Sequence, residues 1–357
     1  MIPVQNDQNE GVAHRKVVPT MKSTRIVLAS RPIGMPQPEN FRTETVELDS
    51  PQPGEVLLQT LYLSLDPYMR GRMSDAPSYA PPVEIDETMC GATVSRVLES
   101  TDPGLRPGDI VLGWGGWQTH SVENARALRK LDPNAAPLTT ALGVLGMPGL
   151  TAYSGLLTIG QPKPGETVVV AAATGPVGST VGQIAKIKGA RAVGIAGGPE
   201  KVALLTERFG FDAAVDHRAP DFAEQLAAAT PDGIDVYFEN VGGAVFDAVL
   251  PRLNPFARIP VCGLIANYND TDLPPGPDRL PLLMSSILRR SLTVRGFIVS
   301  EFAGQAAEFY PAAAQWIAEG KLVHLEDVVD GLDHAVAAFQ GLLTGKNLGK
   351  LVIKVSD

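Results

Sequence analysis

The chain has 357 residues, enough for two domains that each bury a core. Apolar residues make up 44% and charged residues 19%, and a formal charge of −9 argues against nucleic acid or an anionic membrane as partner. No apolar run approaches the ~20 residues of a membrane helix and no signal peptide opens the chain, so a cytosolic protein is expected.

Residues 1–22, which begin MIPVQNDQNEGVAHRKVVPT, are polar and aperiodic and are expected to form a disordered extension. From Ser23 to Leu145 the sequence reads as short strands, "RIVLAS", "EVLLQTLYLSL", "ATVSRVLES" and "GDIVLGW", divided by the turns "PQPGE", "RPGD" and "LDPN". That texture predicts an irregular, barrel-like β domain over 23–145. After "GMPGLTAYSGLL" apolar runs alternate with helical stretches. Strands are expected at Thr167–Ala171, Ala192–Ala196, Ala213–Asp216, Ile234–Phe238, Arg258–Cys262 and Leu292–Val299. Helices are expected near Val177–Lys188, Glu200–Arg208, Phe222–Ala228 and Val245–Leu253. Buried strands alternating with helices predict an α/β fold, a doubly wound parallel sheet over 146–320. The tail, 321–357, ends in "KLVIKV" and is expected to rejoin the β domain, leaving the α/β unit as an insertion in it.

The stretch "VVVAAATGPVGSTVGQIAK" (168–186) joins a buried strand to a helix through a glycine turn. It lacks the first glycine of the dinucleotide fingerprint, because Ala173 stands there. Gly175 and Gly178 remain, with Pro176 and Val177 between them. Gly175 lets the backbone approach a pyrophosphate, which the helix N-terminus attracts; Gly178, and Gly182 a turn later, let the helix pack against the sheet. A plain tight connection also uses such glycines, but the position before a helix that opens an α/β run favours the nucleotide. The second strand ends in Gly197-Gly198, where an NAD site carries Asp or Glu for the ribose hydroxyl. Lys201 follows, and His217 with Arg218 ends the third strand. That basic rim suits a 2′-phosphate, so NADP(H) is expected, with Glu200 turned to solvent. Asn240 and Gly263 sit at the ends of the fourth and fifth strands and Phe297 lies in the sixth, where a nicotinamide ribose would lie. The two cysteines, Cys90 and Cys262, and five scattered histidines form no tetrahedral zinc spacing, so no metal site is expected and metal-dependent alcohol oxidation is disfavoured.

From Ser23 to Val355 the chain resembles the zinc-independent, NADP-dependent medium-chain reductases, which include prostaglandin, plant alkenal and bacterial curcumin reductases. The resemblance rests on "YLSLDPYMRGRMSD", "LGVLGMPGLTAYSGLL", "AAATGPVGSTVGQIAKIKG", "ENVGG", "CGLIANYN", "LPPGPDRLP" and "GKNLGKLVIKV", and is strongest to the curcumin branch. It implies a Rossmann domain inserted in a GroES-like β-barrel domain, usually as a homodimer. It also implies NADPH contacts at Gly175 to Gly178, Lys201, His217, Asn240, Cys262 to Tyr268, Phe297, Ile298, Val299 and Asn347, with Met147 and Thr151 near the nicotinamide and phosphates. Many relatives carry tyrosine at the position of His217, which makes that contact more dependent on pH here.

The implied reaction is hydride transfer from NADPH to the β-carbon of an enal, enone or curcumin-like dienone, a small hydrophobic unsaturated carbonyl. The carbonyl oxygen then needs a hydrogen-bond donor and the α-carbon a proton. A tyrosine donates while staying neutral at neutral pH. Tyr268, after the fifth strand, and Tyr68, expected at the end of a long strand of the first domain, are the candidates. Arg70 and Arg72 are read as anchors of the domain interface, Cys90 as packing, and Cys262 as a backbone contact. Trp114 and Trp117 are read either as a substrate cover or as structural edge residues. Rival readings are an NADPH-dependent quinone reductase of the same superfamily and, from another class, a non-catalytic NADPH-binding structural or redox-sensing protein.

Overall fold

A computed structural model describes residues 21–273 and 276–357. The expected extension therefore lies outside the described residues except for Met21 and Lys22, which already belong to the first strand. Strand β1 (Met21–Leu28) pairs antiparallel with β2 (Phe41–Leu48). The next elements are β3 (Glu55–Ser64), helix α1 (Tyr68–Arg72), β4 (Thr93–Ser100), β5 (Ile110–Gly113), β6 (His120–Asn124) and β7 (Arg129–Leu131). β3 is apolar along most of its length and pairs with β4, β6 and, from the far end of the chain, β15 (Lys350–Lys354). The resulting seven-stranded sheet runs β14-β15-β3-β4-β5-β7 with β6 beside β3, where β14 is Glu326–Asp330. The tail thus returns to the first sheet. Beneath it Trp117, fully buried, stacks on Phe41 at 5.8 Å and meets Phe339 edge-on at 5.6 Å.

Helix α2 (Met147–Ser154) continues through a π-helical turn (Gly155–Gly160) into the second sheet. There β8 (Thr167–Ala171), α3 (Pro176–Ile187), β9 (Arg191–Ala196), α4 (Pro199–Glu207), β10 (Ala213–Asp216), α5 (Phe222–Ala229) and β11 (Ile234–Phe238) alternate. They are followed by α6 (Gly243–Val249), β12 (Leu253–Val261), α7 (Leu280–Arg290), β13 (Thr293–Gly296) and α8 (Ala306–Ala318); α9 (Ala335–Leu343) lies in the tail. The six strands are parallel, in the order β10-β9-β8-β11-β12-β13. That is a doubly wound sheet whose direction of winding reverses between β8 and β11. A ligand crevice opens beyond the strand ends at that point.

Several expected boundaries are corrected. The sixth strand stops at Gly296, so Phe297 to Val299 lie beyond it rather than within it. The helix expected over Val245–Leu253 ends at Val249, because Pro251 lacks the N–H to continue it and Leu253 already opens β12. Tyr68 does not end a strand: β3 stops at Ser64, and Pro67, at φ −59°, sets up the helix that Tyr68 begins. Helices α7 and α8 were not expected. α7 turns Leu282, Met284 and Leu288 outward, and α8 contains Pro311, so neither gives a clean core-facing pattern.

Candidate active site

The carboxyl ends of β8, β9, β11 and β12 face α1 and the segment before β15 across a cleft of about 480 Å³. The residues named from the sequence as cofactor contacts or proton donors line this one cleft, apart from Leu264 and Asn267 of the 262–268 stretch. At its floor β8 ends at Ala171, and the next residue, Ala172, adopts φ +51°. The left-handed position in the turn is thus held by alanine. Ala173, in place of the missing glycine, is fully buried, and its methyl lies against Gly194 of β9: a Cβ there would sit 3.0 Å from it. Other groups crowd Gly194 as well, since the same Cβ would stand 2.7 Å from Leu205 Cδ1 and 3.0 Å from Phe211 Cδ1. Helix α3 then starts with Gly175 as N-cap and Pro176 in its first turn; no side chain caps it. Its first-turn N–H groups have no intrahelical acceptor and point their partial positive charge at the cleft. A Cβ on Gly178 would lie 2.5 Å from Ala172 O, so only glycine lets α3 seat so close to the turn.

At one end of the cleft three basic side chains meet. Lys201 Nζ donates to Gly345 O at 2.8 Å, and Arg218 Nη2 reaches Thr344 O at 3.5 Å. His217 and Arg218 both lie over Gly197, where a Cβ would stand 2.8 Å from His217 Nε2 and 2.7 Å from Arg218 Nε. Burial, then the Arg218 charge, pushes both the Lys201 ammonium and the His217 imidazolium below their ordinary values. An anion placed here relieves that repulsion. The nearby Asp216 carboxylate is engaged by the N–H groups of Gly198 and Arg218, both at 2.9 Å, and Glu200 is exposed. The residues fit an adenosine 2′-phosphate at this end and a pyrophosphate over α3.

At the other end, Asn240 ties β11 to β8 by donating to Ala171 O at 2.8 Å. Below it, buried Glu239 accepts from Val241 N at 2.7 Å, Gly242 N at 2.9 Å and Tyr237 Oη at 3.0 Å, and so fixes the Asn240–Gly243 turn. Cys262 N and Gly263 N donate to Glu239 O at 2.9 and 3.2 Å. Tyr268 folds back over Gly263, where a Cβ would lie 3.0 Å from the tyrosine Oη. Burial raises the Tyr268 phenol, while the Leu264 N–H draws it partly back. From the first domain, Tyr68 presents a hydroxyl that is buried and has no hydrogen-bond partner among the described residues. Burial first, then the Asp66 charge, holds that phenol far above the ordinary tyrosine range. Both phenols are therefore donors at neutral pH.

Met147 and Thr151 of α2 wall the cleft, and Thr151 Oγ1 donates to Met147 O at 2.8 Å. Asn347 Nδ2 donates to Gly349 O at 2.8 Å. Burial holds Cys262 up to about 12 and Cys90 up to about 11, which disfavours the nucleophilic thiolate at both. Arg70 anchors the two domains as expected, donating to Gly34 O at 2.8 Å and to Asn269 Oδ1 at 3.0 Å. Arg72 does not: it binds Pro81 O at 2.9 Å inside its own domain and lies over the rings of Tyr68 and Tyr79. Trp117 is core and Trp114 is outside the cleft, so neither covers a substrate.

Sequence reasoning placed Arg218 on the basic rim but left two contributors, Tyr79 and Lys350, outside the site. Tyr79 lines the cleft from an exposed loop. The fully buried Lys350 ammonium donates to Leu65 O at 2.7 Å and Asp66 Oδ1 at 2.8 Å, fixing the chain just before Tyr68. The "LDPY" and "NLGK" motifs contained the last pair, but nothing in either motif announces the other. Among the described residues no group of three or more His, Cys, Asp or Glu side chains is placed to hold a metal, and no helix is long and apolar enough to cross a membrane.

Two family models match: an N-terminal domain of oxidoreductase over residues 24–131, and a zinc-binding dehydrogenase over 176–319. The chain is 59% identical over 336 residues to the NADPH-dependent curcumin reductase of Escherichia coli, covering 94% of this chain and 97% of that one. It is 42% identical over 327 residues to prostaglandin reductase 1 of Sus scrofa, covering 90% and 96%. Among solved structures, CurA of Vibrio vulnificus in complex with NADPH superimposes with a TM-score of 0.91 at 53% identity, covering 94% of this chain and 99% of that one. On these grounds, the chain belongs to the NADPH-dependent medium-chain dehydrogenase/reductase family that includes the curcumin and prostaglandin reductases.

Proposed function

We propose that the protein reduces the carbon–carbon double bond of α,β-unsaturated carbonyl compounds with NADPH. The observation that carries this reading is a single cleft with a basic rim of Lys201, His217 and Arg218 at one end and the tyrosines Tyr68 and Tyr268 at the other. Lys201, His217 and Arg218 hold the 2′-phosphate, the α3 N-terminus holds the pyrophosphate, and Asn240, Cys262 to Tyr268 and Phe297 to Val299 surround the nicotinamide. Met147, Thr151 and Asn347 complete the wall. The reduced nicotinamide supplies, when bound, a hydride for the β-carbon of a conjugated carbonyl. The chain's part is to stabilise the charge that develops on the carbonyl oxygen. Tyr268 donates its phenolic hydrogen there, and burial keeps the proton on the phenol through the neutral range. Tyr68, whose hydroxyl has no acceptor among the described residues, is the second donor.

In this reading no zinc takes part, since hydroxyls polarise the substrate and the chain's two cysteines and five histidines are scattered. Residues 23–145 and 321–357 form the substrate side and 146–320 the nucleotide side. We assign the protein to the cytosol, in keeping with its free thiols at Cys90 and Cys262. It works as a homodimer through β13, an edge strand exposed along its length, next to α7, which exposes Leu282 and Leu288. Size measurement by light scattering tests that assembly.

The test of the reaction is NADPH oxidation against a 2-alkenal, an aryl enone and a quinone, repeated with NADH. Turnover of the enal and enone with a strong NADPH preference is expected. Faster turnover of the quinone would favour the quinone reductase reading, and NADPH binding without any turnover would favour a non-catalytic one.

A further inference from the structure

The mouth of the cleft carries a feature that nucleotide binding and proton donation do not use. Between α1 and Val83 the chain makes an exposed loop, "SDAPSYAPP" (74–82), and places Tyr79 among the cleft-lining residues although the side chain is 58% exposed. An exposed tyrosine on a free loop would swing. This one is fixed by a single residue, Arg72. Its backbone carbonyl accepts from Val83 N at 2.8 Å and its Nη1 donates to Pro81 O at 2.9 Å, so Arg72 closes the base of the loop twice. Pro77, Pro81 and Pro82 restrict the backbone further. The Arg72 guanidinium then lies over two rings at once, 5.1 Å from the Tyr79 centroid and 5.9 Å from that of Tyr68. Burial raises the Tyr79 phenol, and the Arg72 guanidinium draws it partly back. Tyr79 is thus a braced aromatic face at the cleft mouth, tied through Arg72 to the ring of Tyr68.

We propose that Tyr79 is a specificity-determining residue that stacks on an aromatic substituent of the unsaturated carbonyl, and that Arg72 is the residue that positions it. The assignment rests on the enone-reductase reading above. A flat conjugated substrate whose carbonyl meets Tyr268 and Tyr68 extends outward from them, and an aryl group on it reaches the lip of the cleft. A short aliphatic enal does not reach so far. Ring stacking and the accompanying burial therefore add to binding of aryl substrates alone.

The experiment compares wild type, Tyr79→Ala, Tyr79→Trp, Arg72→Met and Arg72→Lys on 4-phenyl-3-buten-2-one and on 2-hexenal, with NADPH affinity and thermal unfolding measured for each. Tyr79→Ala is expected to raise KM for the aryl enone roughly tenfold with kcat within about twofold, and to change kcat/KM for hexenal by less than about twofold. Tyr79→Trp is expected to keep the aryl preference. Arg72→Met is expected to lower the aryl-to-aliphatic ratio in the same direction, and Arg72→Lys to restore part of it. Equal losses on both substrates, no change on either, or a Tyr79→Trp variant as poor as Tyr79→Ala would overturn the proposal. A wild-type enzyme that binds NADPH but reduces neither substrate would instead bring down the enone reading, and this assignment with it.

Discussion

Gly175, Gly178 and Gly182 lie on or beside the same helix start, yet the structure gives each a different task. A Cβ on Gly182 would stand 1.9 Å from Cζ of the buried Phe211 ring, behind the helix and away from the cleft. Gly182→Ala therefore overpacks the core, at about 1–3 kcal/mol, and leaves the nucleotide site alone. A Cβ on Gly178 would meet backbone, 2.5 Å from Ala172 O and 2.7 Å from Ala173 Cα. Ordinary contact begins near 3.4 Å, so the helix start must retreat by about 0.9 Å, carrying its N–H groups off the pyrophosphate. Gly178→Ala is expected to cost about 1–3 kcal/mol of stability and to weaken NADPH binding by up to about 100-fold. Gly175 has φ −68°, and its Cβ would find only Ala172 O, at 3.4 Å, so Gly175→Ala leaves stability within about 0.5 kcal/mol. Because Gly175 lines the cleft, the added methyl meets the phosphates, and affinity falls roughly tenfold. Thermal unfolding without cofactor, which excludes the stabilisation that binding itself brings, and NADPH fluorescence titration separate the three. If the variants lose stability and affinity in parallel, or if Gly175→Ala binds NADPH like wild type, the glycine turn serves packing and the phosphate assignment is wrong.

Tyr268→Phe removes the donor and is expected to cut enone turnover at least about tenfold while NADPH affinity stays near wild type; unchanged kcat in steady-state assays would take Tyr268 out of the mechanism. Lys201→Ala is expected to reduce the preference for NADPH over NADH by roughly tenfold or more, read as a ratio of kcat/KM values. Burial, Arg218 and Lys201 lower the His217 imidazolium against the opposing pull of Asp216, and a phosphate dianion beside it would favour its protonation. NADPH affinity relative to NADH is accordingly expected to rise as pH falls from about 8 to about 6, and His217→Gln to flatten that rise in binding titrations. Lys350→Met leaves the Asp66 carboxylate buried without its cation, so a loss of about 3–5 kcal/mol is expected in denaturant unfolding, with much of it regained by adding Asp66→Asn.

The parallel sheet was legible because each of its first four strands is a short apolar run, bounded by turn residues and followed by a helix with one apolar face. Periodicity and punctuation suffice there. They fail where an element answers to something other than its own core. α7 turns apolar side chains outward, so its pattern reads like a buried segment without a partner. β13 is exposed on all four residues, and its limits are set by pairing with β12 rather than by burial. The fold-back of the tail onto β3 was suggested by "KLVIKV", but its register, Val352 opposite Ser64, belongs to the tertiary structure.

The site divides in the same way. Glycines, the basic rim and the tyrosines announce themselves because each carries its chemistry within a few residues of a strand end. What could not be read is how the far ends of the chain meet. Lys201 and Arg218 rest on the carbonyls of Gly345 and Thr344, partners 144 and 126 residues away, and Lys350 reaches Asp66 across 284. These contacts exist only because the α/β unit is inserted between β3 and β15 of one sheet, which brings the segment before β15 over the nucleotide rim. Two of the three basic groups proposed to hold the 2′-phosphate are thus already oriented by first-domain carbonyls, and less side-chain freedom would remain to be lost on binding. The incomplete fingerprint obeys the same logic. Ala173 looked like a defect along the chain, yet its methyl packs in space against Gly194, 21 residues later on the next strand, where Leu205 and Phe211 also crowd. A motif scanned along one dimension counts a missing glycine; the fold seats the alanine because the strand beside it presents no side chain at that point.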